Sequence, residues 1–283
     1  MNIIETHDLT YRYNEGTSNE KTALDNVNIS IESGIFLGII GHTGSGKSTL
    51  IQHFNGLMKP ASGTVTVDGE DIGKDKATLM KIRFKVGLCF QYPEYQLFEE
   101  TTYKDISFGP RNMGLSEDEI NERVKTAASY VGITDEMLKK SPFDLSGGEK
   151  RRAAIAGVMA MSPKVLILDE PTCGLDPQGR EKILDMLDDY RTSTGSTVII
   201  VSHSMEDVAS RASKVLVMNR AKAEMYGTPD EIFAEHEKLE AMGLDIPQIT
   251  KIFIGLKKAG LDVPVNIYSV ESAKAASGKI LGV

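Results

Sequence analysis

Strand-length runs of four to six mostly apolar residues alternate along most of the chain with stretches in which apolar residues recur every three or four positions. Ile35–Ile40, Val86–Gln91, Val165–Leu168, Val198–Val201 and Val215–Met218 are of the first kind and predict buried strands. Ser48–Leu57, Glu117–Val131, Lys150–Met161 and Gln178–Tyr190 are of the second kind and predict helices. The alternation predicts an α/β fold, a parallel sheet covered by helices. Near the N-terminus the texture differs. Ile3–Tyr13, Val27–Ile31 and Val65–Val67 are short strand-like runs bounded by Gly, Asn and Ser, which predicts a small antiparallel flank. From Glu99 to Leu145 strand patterning disappears and helical patterning takes over, as for an insertion between two parts of the sheet. Beyond Gly227-Thr228-Pro229 the pattern predicts two or three short amphipathic helices and a polar tail. The expected division is therefore residues 1–227, with a helical subdomain at about 99–161, and a small helical domain at 228–283.

The length of 283 residues suits one large α/β domain with an appendage, and 41% hydrophobic with 25% charged residues is ordinary for a soluble globular protein. No apolar run approaches the roughly 18–20 residues of a bilayer span, and Met1–Glu5 lacks the basic-then-apolar pattern of a secretion signal. The expected place is the cytoplasm. Work at a membrane would then require docking on another subunit. A net charge of −8 weighs against nucleic acid as a partner. Cys89 and Cys173 lie far apart without metal-ligand spacing and read as free thiols of a reducing compartment.

Specific chemistry begins at Gly41-His42-Thr43-Gly44-Ser45-Gly46-Lys47-Ser48, which satisfies G-x-x-x-x-G-K-[ST] between a predicted strand and a predicted helix opening Ser48-Thr49-Leu50. Glycines let backbone N–H groups turn onto phosphates, and the helix N-terminus adds favourable dipole charge. The motif assigns Lys47 to the β- and γ-phosphates and the Ser48 hydroxyl to Mg²⁺. Alone it says only "nucleotide". Val165–Leu168 followed by Asp169-Glu170 adds two carboxylates at a buried strand end. Asp169 is placed to hold Mg²⁺ through water, and Glu170 to orient and deprotonate an attacking water. That pairing favours hydrolysis over phosphoryl transfer to a substrate hydroxyl.

Leu145-Ser146-Gly147-Gly148-Glu149 reads first as a capped helix start, with Ser146 and Glu149 forming a capping box and two glycines leaving the first turn bare. With the other motifs in the same order, the chain resembles the ATP-binding-cassette (ABC) family over about Ile3 to Ile232. The resemblance implies a P-loop, RecA-like core. In it Tyr13, with Tyr11 as the alternative, stacks on adenine, and Gln91 links the Mg²⁺ site to the helical subdomain. Leu145–Glu149 is similar to the family's LSGGQ signature, with Glu149 where Gln is usual, and would contact the ATP of a second subunit. Asp176 lies in the D-loop match Gly174-Leu175-Asp176, and His203 matches the switch histidine at the γ-phosphate.

Finer texture narrows the resemblance. Tyr92-Pro93-Glu94-Tyr95-Gln96-Leu97-Phe98-Glu99-Glu100, Asp105–Pro110, Ser141-Pro142-Phe143, Gly41-His42-Thr43 and Ser202–Asp207 resemble the energy-coupling-factor (ECF) transporter ATPases, the A-prime subunit above all. That resemblance implies a heterodimer with a sister ATPase, a membrane scaffold (T component) and a substrate-binding membrane protein (S component) that import vitamins or metal ions, with this chain peripheral on the cytoplasmic face of the cell membrane. It makes residues after Thr228 a dimerisation domain. It also makes Tyr92, Tyr95, Leu97, Phe98, Glu99 and Glu100 the surface on which the scaffold docks. The alternative is the ATPase of a conventional ABC importer or exporter. A small-molecule kinase has no use for Leu145–Glu149. A chromosome-maintenance ATPase would need a long coiled coil between Lys47 and Leu145, which are only 98 residues apart.

Overall fold

The structure, a computed structural model, describes residues 1–281. Two sheets carry the fold. Strands β1 (Asn2–Tyr13), β2 (Lys21–Glu32), β4 (Ser62–Val67) and β5 (Glu70–Asp71) form an antiparallel sheet in the order β2-β1-β4-β5. The second sheet contains β3 (Phe36–Ile40), β6 (Val86–Cys89), β7 (Val165–Asp169), β8 (Thr197–Val201), β9 (Lys214–Asn219) and β10 (Lys222–Gly227). Its order is β10-β9-β3-β8-β7-β6, parallel throughout except for the β9–β10 hairpin.

Both faces of this sheet are covered along β3, β7, β8 and β9, which is why those strands read as apolar runs. Phe36, Ile40, Leu166, Leu168, Val198, Ile200, Val215 and Val217 point into one core. Leu37, Ile39, Val165, Ile167, Ile199, Val201, Leu216 and Met218 point into the other. The first core is closed by α3 (Thr102–Asn112), α4 (Glu117–Val131), α6 (Gly147–Met159), α7 (Pro177–Thr194) and α8 (Met205–Arg211). The second lies under α1 (Lys47–Phe54), α2 (Lys76–Lys85) and the antiparallel sheet. The short α5 (Asp135–Lys139) and two 3-10 turns, Pro93–Gln96 and Pro142–Asp144, complete the insertion and its approaches.

The elements expected from periodicity are present, with differences at their ends. Strand β6 stops at Cys89, so Gln91 stands exposed beyond it rather than inside it. Helix α6 begins three residues before Lys150, because Ser146 and Glu149 close a capping box around its first turn. The tail holds four helices, not two or three: α9 (Pro229–Ala234), α10 (His236–Ala241), α11 (Gln248–Lys258) and α12 (Val270–Leu281). Ile232, Phe233, Leu239, Leu244 and Ile246 belong to the first core. From Ile249 onward a separate cluster forms around Phe253, Val263, Ile267 and Ala273.

Strands β3, β8 and β7 are neighbours and parallel, so the loops at their carboxyl ends converge. Those loops carry Gly41–Ser48, Ser202–Ser204 and Asp169–Glu170. Ligand sites in open α/β sheets form at this edge.

Candidate nucleotide site

The loop after β3 is shaped by glycine. Gly41 (φ +157°) and Gly46 (φ +107°) sit where a side chain would strike backbone: a Cβ on Gly41 would lie 2.3 Å from the Met218 carbonyl oxygen, and one on Gly46 would lie 2.4 Å from that of Ala23. The loop is therefore wedged between β9 and β2, and within it the Ser45 N–H donates to the His42 carbonyl at 3.1 Å. Lys47, 6% exposed, donates to the carbonyl oxygens of Gly41 (2.6 Å) and His42 (3.1 Å), so its ammonium is held over the loop. Burial pulls its pKa down, and Glu170 and Asp169 oppose that. Ser45 Oγ is buried without a hydrogen-bond partner. His42 Nδ1 bonds to the Thr43 carbonyl, and Thr43 and Gly44 are exposed at the loop tip.

Across from Lys47, Ser48 Oγ donates to Asp169 Oδ2 at 2.9 Å. These two oxygens converge on one point. Burial pushes the Asp169 carboxyl up, partly offset by the Ser48 bond. Glu170 holds a left-handed backbone (φ +54°), its N–H donating to the Val201 carbonyl at 2.9 Å. Its Oε1 lies 3.2 Å from His203 Nε2 yet has no hydrogen-bond partner. Burial pushes this carboxyl up to about 7, the range in which a general base works. His203 is pulled the other way, by burial and then by Lys47.

Behind the loop, the Tyr13 hydroxyl hydrogen-bonds Thr49 Oγ1 at 3.0 Å, tying β1 to α1. Tyr11 packs edge-on against both Tyr13 and the buried His53 and belongs to the second core. Both aromatics thus reach α1, Tyr13 through Thr49 and Tyr11 through His53.

The signature residues stand apart. Ser146 Oγ accepts from the Glu149 N–H (3.4 Å) while a Glu149 carboxylate oxygen accepts from the Ser146 N–H (2.8 Å). Leu145 anchors the turn in the first core. Among the described residues no hydrogen bond joins Leu145–Glu149 to the phosphate loop. Nothing lies within 4 Å of a Cβ placed on Gly147, and only an Arg152 side-chain nitrogen, at 3.9 Å, approaches one on Gly148. Asp176 caps α7, accepting from the Gly179 N–H at 2.6 Å.

Residues 24–173 match the ABC transporter family. A protein of Caldanaerobacter subterraneus named energy-coupling factor transporter ATP-binding protein EcfA2 is 54% identical over 96% of this chain and 95% of its own length. A relative of the same name from Clostridioides difficile is 50% identical over 99% and 98%. The chain belongs to the ABC transporter family, among the energy-coupling factor ATP-binding proteins. Among solved structures, this ABC ATPase is similar to cbiO1 of Clostridium perfringens, described as part of the ABC transporter complex cbiONQ, with TM-score 0.76, 40% identity, and coverage of 92% and 97%. A dimeric ATP-binding cassette in a post-hydrolysis state with ADP and Pi gives TM-score 0.71 at 28% identity, covering 80% of this chain and 98% of that one.

The ABC ATPase also contains contacts that motif reading passes over. Arg151 is 6% exposed and forks onto Glu94, and Thr172 donates to Asp207, which also accepts from Arg180. In sequence Arg151 sits in Lys150-Arg151-Arg152, a run that looks like a solvated helix face. The segment after Gln91 is aromatic and open: Tyr92, Tyr95 and Phe98 are exposed, Leu97 is half-buried, and Phe98 packs edge-on against Phe108. Glu100 pairs with Lys104, whereas among the described residues Glu99 has no ion pair. No helix among the described residues is long and apolar enough to cross a membrane.

Proposed function

We propose that the chain binds MgATP on Gly41–Ser48 and Thr49, with Tyr13 against the adenine, and hydrolyses it with Glu170 as general base, powering an ECF-type importer of vitamins or metal ions. The observation that carries this reading is the unpartnered, buried Glu170 oxygen beside His203 and across from Lys47. A buried carboxylate with a free lone pair and a raised pKa is suited to take a proton from water. Lys47 is poised to leave the loop carbonyls for phosphate oxygens, and His203 to touch the γ-phosphate. The residues also fit Mg²⁺, which takes few protein oxygens and keeps water and phosphate ligands. Ser48, Asp169 and Gln91 would hold it, and bound there it would neutralise charge building on the phosphates.

The bare first turn of α6 supports a signature role. Gly147 and Gly148 answer to no crowding within this chain, so a ligand from outside, the ATP of a partner cassette, explains them better. The D-loop, with Asp176 capping α7, would sit at the same junction. We further infer a sister ATPase forming a heterodimer, a T component docking on Tyr92–Glu100, an S component that selects the cargo, and a peripheral place on the cytoplasmic face of the membrane. The relatives' names and the lack of a membrane-length helix among the described residues support that arrangement. Residues 228–283 would help hold the dimer.

Glu170→Gln should leave MgATP binding intact and slow hydrolysis by on the order of 10² or more. Turnover and nucleotide affinity of the assembled transporter test this, and near-native hydrolysis would remove Glu170 as the base. Subunit identification in the purified complex tests the assembly. Two copies of one ATPase on paired channel subunits would favour a conventional ABC transporter.

A further inference from the structure

The three residues after Glu170 are gripped from two sides. Arg151, on α6, donates from Nη1 to the carbonyl oxygen of Cys173 at 2.6 Å and, more weakly, to that of Pro171 at 3.5 Å. Its Nε and Nη2 meet Glu94 Oε2 and Oε1 at 3.2 and 2.9 Å, a bidentate fork. Between those carbonyls, the Thr172 hydroxyl donates to Asp207 Oδ2 at 2.8 Å, and Asp207 Oδ1 accepts from Arg180 at 2.7 Å. Both charged residues at the grip are nearly closed to solvent, Arg151 at 6% and Asp207 at 5%. A further touch joins the same elements: the Tyr92 hydroxyl lies 3.6 Å from Cys173 Sγ.

This much fastening has a physical reason. Glu170 holds a left-handed φ that a non-glycine residue rarely adopts. Such a conformation persists only when its surroundings over-determine it. The Glu170 N–H is fixed to Val201, and its carbonyl accepts from the Cys173 N–H at 3.2 Å. Whatever fixes Cys173 therefore fixes the turn on which Glu170 stands.

The geometry points to Arg151 as a positioning residue that locks the Pro171–Cys173 turn, and with it the Glu170 carboxylate, to the Pro93–Gln96 turn through Glu94. The far end of this lock lies inside the exposed aromatic segment Tyr92–Phe98, so a partner that moves that segment pulls on the turn behind the base. Glu94 is thereby committed inward and is not part of the docking charge. The catalytic consequence rests on Glu170 being the base, as proposed above.

Two variants separate the parts. In Arg151→Lys the charge stays, but one ammonium cannot serve a carboxylate and two carbonyls in the same fork. In Glu94→Gln the carbonyl bonds remain available while the ion pair is lost. In the assembled transporter, Arg151→Lys should lower kcat about tenfold with KM for ATP within about twofold, since only the transition-state geometry suffers. Amide exchange in the nucleotide-free chain should quicken about tenfold over residues 170–175 for Arg151→Lys, and over both 93–99 and 170–175 for Glu94→Gln. Unchanged exchange at 170–175 in Arg151→Lys would overturn the lock. Quickening in Glu94→Gln confined to 93–99 would overturn its relay. Exchange that rises evenly through β3, β7 and β8 would mark general loosening and overturn it as well. Failure of the base reading shows elsewhere: Glu170→Gln would hydrolyse normally, while the exchange results would still stand.

Discussion

At the scale of single residues, the site separates what a motif can announce from what only burial creates. Asp169 and Glu170 are adjacent carboxylates on one strand end, and the sequence marks both. It cannot show that Glu170 Oε1 is closed off without a partner, because Val201, His203 and Lys47 arrive from other strands and loops. That closure has a consequence for stability. The Glu170 carboxyl moves from an ordinary 4.5 up to about 7, chiefly through burial, opposed by the His203 backbone N–H and by Lys47, with Asp169 and Asp207 adding to the rise. Between those values the folded chain holds a proton that the unfolded chain releases, so stability falls as pH rises across that window. Below about 4.5 both states are protonated, and the contribution is fully present. Glu170→Gln has nothing to release. In nucleotide-free, chelator-treated protein its melting temperature should exceed the native one by a few degrees at about pH 8, with the gap widening from about pH 5 to pH 7 and level above. A gap that narrows with rising pH would contradict the buried, raised carboxyl.

At the scale of elements, legibility follows burial on two faces. Strands β3, β7, β8 and β9 are apolar runs because both sides meet a core, and such runs are visible in sequence. Strand β10, Lys222–Gly227, has no such run, and its hairpin turns at Arg220-Ala221, both with positive φ (+45° and +69°). Asn-Gly is the usual residue pair for that turn, so the customary signal is missing. Tertiary bonds substitute for it: the Ala221 N–H donates to the Ser45 carbonyl, and the Ala221 carbonyl accepts from the Asp25 N–H. Helix α2 is equally silent, since only Thr78 and Ile82 are buried along its ten residues. The acidic pair proposed for docking also divides on its element. Glu100 sits one helical turn before Lys104 and is paired with it, whereas Glu99 carries unmatched charge beside Phe98, whose N–H is held by the buried Asp105. For a guanidinium on a docking partner, Glu99 is the better bidentate acceptor. Glu99→Lys alone should therefore weaken co-purification with the membrane scaffold about tenfold, and Glu100→Lys much less. Equal effects, or a larger one from Glu100→Lys, would place the docking charge elsewhere. ATP binding by the isolated chain should be unchanged in both variants.

At the scale of the whole molecule, the end of strand patterning at Gly227 says where the sheet stops but not where its core stops. An apolar residue on a short helix looks the same in sequence whichever core it enters. Ile232, Phe233, Leu239, Leu244 and Ile246 enter the core that packs on β3, β7, β8 and β9, and the independent cluster begins only near Ile249. Burying each such side chain contributes about 1.5–3 kcal/mol. Five of them come to on the order of 10 kcal/mol, an upper estimate because the unfolded chain already hides some of that surface. Domains are stable by only about 5–15 kcal/mol in total. Removing residues 228–283 should therefore unfold the cassette or lower its melting temperature drastically. Removing 248–283 takes away α11, α12 and their own cluster, and among the described residues strips from the main core only the half-buried Ile254 and Tyr268 that pack on its surface. That shorter cut should melt within several degrees of the full chain and still bind ATP. The proposed dimerisation role belongs to this distal part, whose Ile252 is 57% exposed on α11. Calorimetry on both truncations, with sedimentation of the 1–247 chain against its partner ATPase, checks each half of the statement. Cooperative melting of the 1–227 chain near the full-length temperature would show that residues 232–246 add little to the core. Full dimer affinity in the 1–247 chain would move the interface back to the cassette itself.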